Sequence, residues 1–143
     1  MAVSAKIYSK YFLSVNAATI NWGSDSIKVM LCTSTYTPVQ GTHQFKSDIT
    51  NEVTGTGYTA TGVALGTKTN TTSGLVATFD AADTSWAAST ITARYAVVYD
   101  ATPATDATRP LILYVDFGAD VISSGGTFTI TWDSLGLFTL TAS

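Results

Sequence analysis

Reactive side chains are scarce in this chain. It holds one His, one Cys and seven Lys plus Arg in 143 residues, and Glu52 is its single Glu. Catalysis needs a base, a nucleophile and an orienting group within reach of one another, and so thin a supply predicts no catalytic set and no cofactor or metal centre. A single Cys excludes an internal disulfide, so the fold must stand without covalent staples. A net charge of −3 and a pI near 4.7 leave no basic stripe to neutralise phosphates, which excludes nucleic acid as the expected partner. No apolar run approaches the roughly 20 residues of a membrane span. Near the start, Lys6 and Lys10 interrupt Ile7, Tyr8, Tyr11 and Phe12, unlike the continuous apolar stretch of a signal peptide. The expectation is a protein made and folded in a cytoplasm, with no membrane partner. Charge is thin too: 12% of residues, against about 25% in ordinary soluble proteins. Much of the surface must be neutral, which favours close contact with other protein subunits.

What fills the chain instead is Thr, Ala, Gly and Val in short alternating runs, the composition of packed strands with hydroxyl-bearing outer faces. At 15.0 kDa the chain reads as one domain, 1–143, which should expose roughly 7,000 Å² and bury a single core. The best helical pattern runs from Ala5 to Ala18, within an N-terminal helical segment 1–20. Ile7, Tyr11 and Val15 form its stripe, Tyr8 and Phe12 flank it, and Ser4 is placed to cap it. Residues 21–25, NWGSD, then turn the chain, and the period changes to two at Ile27, Val29 and Leu31, predicting a first strand that ends near Tyr36-Thr37-Pro38. Residues 42–53 show no clean period and predict a loop with a helical turn. Further strands are expected near Tyr58–Leu65, at Leu75–Phe79, and over Thr92–Asp100, Pro110–Phe117, Thr127–Trp132 and Leu137–Thr141, with Trp86 as a core plug. The fold class is therefore mainly β: an antiparallel sandwich or jelly-roll-like domain of about seven strands with one N-terminal helix.

Parity sharpens the central hairpin. Tyr95, Val97 and Tyr99 form one face of its first strand, and Leu111, Leu113, Val115 and Phe117 the more apolar face of its second. Matching these faces predicts Val97 opposite Leu113 and Arg94 opposite Asp116, and a slip of one residue would invert every side chain. The reverse faces are apolar as well, so the hairpin is expected to be covered on both sides, the second by the helix or another subunit. Asp133-Ser134-Leu135-Gly136 predicts the last turn, with Gly136 at positive φ.

Each residue that suggests chemistry has a plainer reading. His43 could work as a base with Asp48 or Glu52, but no nucleophile elbow or second His accompanies it, and an ordinary loop hydrogen bond is expected. Cys32 lies in an apolar strand and should pack as a small hydrophobe. Asp80, Asp83, Asp100 and Asp106 have no calcium-loop spacing and read as turn formers. Gly55, Gly57 and Gly62 imitate a phosphate cradle but lack the following Lys and helix, so they read as turn glycines. Trp22, Tyr36, Tyr58, Trp86 and Trp132 could stack a sugar ring, though core or rim positions are expected for most.

Several stretches together resemble small Thr-rich structural proteins of tailed bacteriophages. They are Ile27-Lys28-Val29-Met30-Leu31 with Tyr36-Thr37-Pro38, and residues 47–58, SDITNEVTGTGY. Residues 92–100, TARYAVVYD, with Tyr114-Val115-Asp116-Phe117-Gly118 and residues 125–132, GGTFTITW, complete the pattern. The resemblance spans nearly the whole chain and implies a virion component with no catalytic residues to carry over. The role expected from it is a capsid decoration or cement protein on the outer surface of the head, assembled in the bacterial host cytoplasm. Its partners would be the major capsid protein and itself, as a homotrimer. Tyr8, Tyr11 and Phe12, with His43 and Phe45 in the 42–54 loop, are the expected subunit contacts. The alternatives are a receptor- or glycan-binding module of a tail or head fibre, and a tail structural component.

Overall fold

The computed structural model describes residues 2–143. Eight strands and one short helix follow in the order β1 (Ser4–Ile7), α1 (Tyr11–Asn16), β2 (Ile27–Cys32), β3 (Val63–Ala64), β4 (Thr69–Ser73), β5 (Val76–Asp80), β6 (Thr84–Asp100), β7 (Leu111–Ile130) and β8 (Phe138–Thr141). The strands form two antiparallel sheets, one in the order β1-β7-β6-β2-β3 and the other β4-β5-β8. The result is a β-sandwich-like fold with one short helix, as the alternating pattern predicts. Its accessible surface, 7187 Å², matches the value expected of a single compact monomer of this mass.

The main core lies between the sheets. Val29, Leu31, Ala96, Val98, Leu113 and Val115 from the large sheet meet Phe138 of β8, with Trp22, Trp86, Ile91 and Phe128 filling the span. Aromatic edges lock the small sheet in place. Phe79 stacks on Phe138 at 4.6 Å, and Trp22 sets its edge against both rings at 5.8 and 5.6 Å. The Trp22 indole N–H donates to the carbonyl of Thr69, tying the 21–25 turn to β4. A second cluster covers the opposite face of the large sheet: Tyr8, Met30, Cys32, Tyr36, Val97, Tyr99, Leu111 and Tyr114. Residues 33–49 supply that cover through Tyr36 and Ile49, including the expected helical turn, a 3-10 turn at Lys46–Asp48. The hairpin is thus covered on both sides, by this loop and not by the helix.

Four expectations are corrected. The predicted helix over Ala5–Ala18 divides into β1 and a six-residue α1, and Ser4 lies in β1 instead of capping a helix. Ser4–Ile7 pairs antiparallel with β7, from Ser4 opposite Asp116 to Ile7 opposite Leu113. Pairing with an open sheet edge outweighs the weak helical propensity of a short segment. The separate strand expected at Thr127–Trp132 is the end of the 20-residue β7, while β4, with sequence TNTTS, carries no apolar alternation and was not expected. The strand expected near Tyr58–Leu65 shrinks to the two residues of β3.

The hairpin register is the fourth correction. Val97 faces Tyr114, and Leu113 faces Val98, one residue away from the expected match. Irregularities between Ala93 and Tyr95 and between Val98 and Tyr99 shift the pairing. Both faces are apolar, so parity alone cannot choose between the two alignments. The Arg94–Asp116 ion pair still forms at 2.7 Å, because Arg94 sits at the first irregularity and reaches the carboxylate opposite Tyr95.

Candidate interaction surface

The residues that suggested chemistry are tied into the fold. Cys32 has no exposed surface, and burial pushes its thiol up to about 12, far from the reactive range. Glu52 accepts from the Tyr58 hydroxyl at 2.7 Å and from the Thr61 backbone N–H at 2.5 Å. His43 does make the ordinary loop hydrogen bond: its Nδ1 lies 3.0 Å from the Tyr36 hydroxyl, which is 2.9 Å from the Tyr8 hydroxyl. Both tyrosine rings stack against the imidazole. Burial raises both phenols far above their ordinary value, so this chain carries hydroxyls and no phenolate.

The glycines of the 54–62 loop are close-approach positions. A Cβ on Gly55 would overlap the carbonyl oxygen of Thr90, and one on Gly62 would overlap that of Val29. Trp22, Tyr36 and Trp86 are buried in the core, as expected for most of the aromatics, while Tyr58 and Trp132 are half-buried. No group of three or more His, Cys, Asp or Glu side chains suited to a metal occurs among the described residues. No helix among them is long and apolar enough to cross a membrane.

One side of the sandwich is open. β1 ends one sheet and β8 ends the other, so each presents an unpaired strand edge. Two adjoining clefts of about 410 and 490 Å³ run along this side and share Ala5, Leu113 and Leu137 as lining. The first is floored by Val115, Phe117 and Ile130 and reaches Trp132 and Asp133; the second reaches Phe12, Gln40 and Phe138. Together they make one groove whose floor is apolar and whose rim carries Lys6 at one end and Asp133 at the other. Exposed apolar side chains stand on or beside it: Val3 at 65% exposure and Phe12 at 49% line it, and Leu135, at 77%, tips the last turn. That turn forms as the sequence predicts. Gly136 has φ of 106°, its N–H bonds the carbonyl of Asp133, and the Asp133 carboxylate accepts from the Leu135 N–H.

Of the five expected contact residues, the structure brings one to this groove. Phe12 lines it. Tyr8 and Tyr11 are corrected: they are buried in the chain's own core, Tyr8 under the large sheet and Tyr11 edge-on to Phe138. Their apolarity serves the fold and leaves nothing to present to a neighbour. His43 is half-buried between Tyr8 and Tyr36, and Phe45 is half-buried in a bridge to Pro110. Sequence reasoning missed Val3, Leu137 and the Leu135 tip. The signal available for Val3 was the alternation of Val3, Ala5 and Ile7, which the competing helical stripe hid. Compared with protein-family models, curated proteins and solved structures, the chain has no match.

Proposed function

We propose that this chain is a non-enzymatic virion structural protein of a tailed bacteriophage, a capsid decoration protein that clamps neighbouring subunits of the mature head. It sits on the outer surface of the head as a homotrimer, after assembly in the bacterial cytoplasm, with the major capsid protein as its partner. The observation that carries this reading is the apolar groove between two unpaired strand edges, in a protein whose His, Cys and Glu are engaged internally. A groove with open edges suits an extended segment of a neighbour, which adds backbone hydrogen bonds at the edge and side chains on the floor. The resemblance of the strands to phage structural proteins supplies the setting. A molecule that binds only the assembled shell raises the free energy of opening it by mass action, and joined copies multiply a weak contact.

Half-buried Trp132 beside Asp133, at one end of the groove, favours a second reading: a glycan- or receptor-binding module of a fibre, in which a ring stacks on the indole. One experiment separates the two. Purified protein should rebind mature heads stripped of it, bind unexpanded procapsids less well, and raise the temperature at which heads release DNA without altering adsorption to cells. Val3→Asp with Phe12→Asp should abolish rebinding while the protein stays folded. Normal head stability with lost adsorption favours the fibre module, and equal binding to heads and isolated tails contradicts both.

A further inference from the structure

The end of β6 carries a charge problem that the functional reading does not use. Asp100, its last residue, has no exposed surface. Its backbone N–H donates to the carbonyl of Pro110, and its Oδ1 accepts from the Thr102 N–H at 2.8 Å. Its Oδ2 has no hydrogen-bond partner among the described residues. A buried carboxylate oxygen with nothing donating to it is unstable as an anion.

The chain places a second carboxyl beside it. Asp100 lies opposite Ile27 across the β2–β6 pair, and Asp25 lies two residues before Ile27, in the bend that leads into β2. The backbones are fastened there, with the Ser26 N–H on Thr102 Oγ1 at 2.8 Å and the Ala101 N–H on the Ser26 carbonyl at 2.8 Å. The Asp25 side chain stands within hydrogen-bonding reach of Asp100. Asp25 is half-exposed, and its oxygens accept from the Asn21 N–H and the Ser24 hydroxyl. One cation stands at Asp25 itself, and the others are engaged elsewhere. Lys68 donates to the backbone carbonyl of Asp25, Lys28 on β2 bonds Thr61, and Lys46 and Arg109 both pair with Asp106.

We propose that Asp25 and Asp100 hold one proton between them and act as an acid-closed latch that fastens the 21–25 turn to the end of β6. The proton sits on Asp100 Oδ2 and is donated to the Asp25 carboxylate; on opening it leaves to solvent through half-exposed Asp25. Burial raises the Asp100 carboxyl above its ordinary range against the opposing hydrogen bonds from Thr102, and the Asp25 side chain adds to the rise through its hydrogen bond and its charge, which agrees with a retained proton. A group raised on folding gives its full stabilisation below the unfolded value and loses it as pH rises through the folded one. The latch is therefore closed in acid and opens toward neutral pH. A divalent cation would do the same bridging, but two carboxylates fall short of the six to eight oxygens calcium takes. The turn carries Trp22, which braces Phe79 and Phe138, so the latch governs how firmly the small sheet is seated.

The test is thermal melting of the full chain and of Asp100→Asn between about pH 4 and about pH 8, the interval above the ordinary Asp value. Asn keeps the acceptor for Thr102 and donates to Asp25 at every pH. The expected result is a melting temperature that falls with rising pH in wild type relative to Asp100→Asn, with the variant the more stable at the alkaline end. Parallel curves overturn the proposal. So does a rise in wild-type melting temperature on adding calcium chloride that Asp100→Asn lacks, which would assign the site to a cation. Should the variant not fold, carbon-13 titration of the wild-type Asp carboxyls decides: one titrating above the ordinary range supports the latch, and none doing so overturns it.

Discussion

The two halves of the β6–β7 hairpin are built from one continuous pair of strands and behave as different materials. Next to the 101–110 loop, Ala96, Val97, Val98 and Tyr99 and their partners Leu111, Leu113, Tyr114 and Val115 are buried on both faces, between the two aromatic-rich clusters. In the far half β6 alternates, with Trp86, Ser89, Ile91 and Ala93 inside and their neighbours outside, and β7 is exposed from Ala119 to Ser124 apart from Ser123. Positive-φ glycines at 118 and 125 bend β7 through this stretch. The same hydrogen-bond ladder therefore holds a rigid centre at one end and a solvated ribbon at the other. What separates them is whether a second layer covers the sheet. The near half has one on each side, and the far half has only the inter-sheet core.

Matched substitutions break this comparison most sharply. Val97→Asp places a charge with no partner in the near half and should cost about 4 kcal/mol or more, enough to prevent folding. Ile122→Asp, at a residue 69% exposed in the far half, should change stability by no more than about 0.5 kcal/mol. Chemical denaturation of both variants checks the pair, and equal losses would show that the halves form one equally packed unit.

Glycine replacements give the next largest contrast. Gly62 has φ of +78° and its missing Cβ leaves room for the Val29 carbonyl, so Gly62→Ala should cost more than the roughly 1–3 kcal/mol of a strained backbone alone. Gly125 has φ of +72° but nothing near its Cβ position, so Gly125→Ala should cost only about 1 kcal/mol. Melting curves of the two should separate clearly. Tyr8→Phe is smaller again. It removes one end of the Tyr8–Tyr36–His43 chain while Tyr36 keeps its bond to His43, a loss of about 1 kcal/mol.

The smallest effect lies at the junction of the halves. The Arg94 guanidinium holds the Asp116 carboxyl below its ordinary range, and the Gly118 N–H also bonds it. That contribution is present above the unfolded Asp value and lost as pH falls through the folded one. Asp116→Asn should leave the neutral melting temperature nearly unchanged and flatten only the acid limb, below about pH 4.

The sequence made the covered half legible and the open edges obscure. The start of β2 at Ile27 was readable from the change of period, but the strand expected to continue to near Tyr36-Thr37-Pro38 ends at Cys32. The burial of Trp86 and Cys32 and the Asp133–Gly136 turn were readable for similar local reasons. The register was not, since Val97 and Val98 are equally apolar and only the irregularities choose between them. β4 was invisible because TNTTS is exposed along its whole length, and its strand character comes from pairing with β5. The contact surface suffered most. Tyr8 and Tyr11 carry the same apolar signal whether they face a neighbour or a core, and here they face the core. Removing residues 2–12 would thus strip the fold of β1 and two core tyrosines, and single changes at Val3 and Phe12 are the cleaner probe of attachment.

In the proposed role, the open side of the sandwich, between β1 and β8, grips a neighbouring subunit of a phage head while the doubly covered half of the hairpin serves as frame. A reconstruction of the intact virion tests it most directly. The expected result is density for this fold on the outer surface of the head, with Val3, Phe12 and Leu137 turned toward the major capsid protein. Density confined to the tail or fibres, or a head-bound protein whose β1–β8 groove faces solvent, would contradict it.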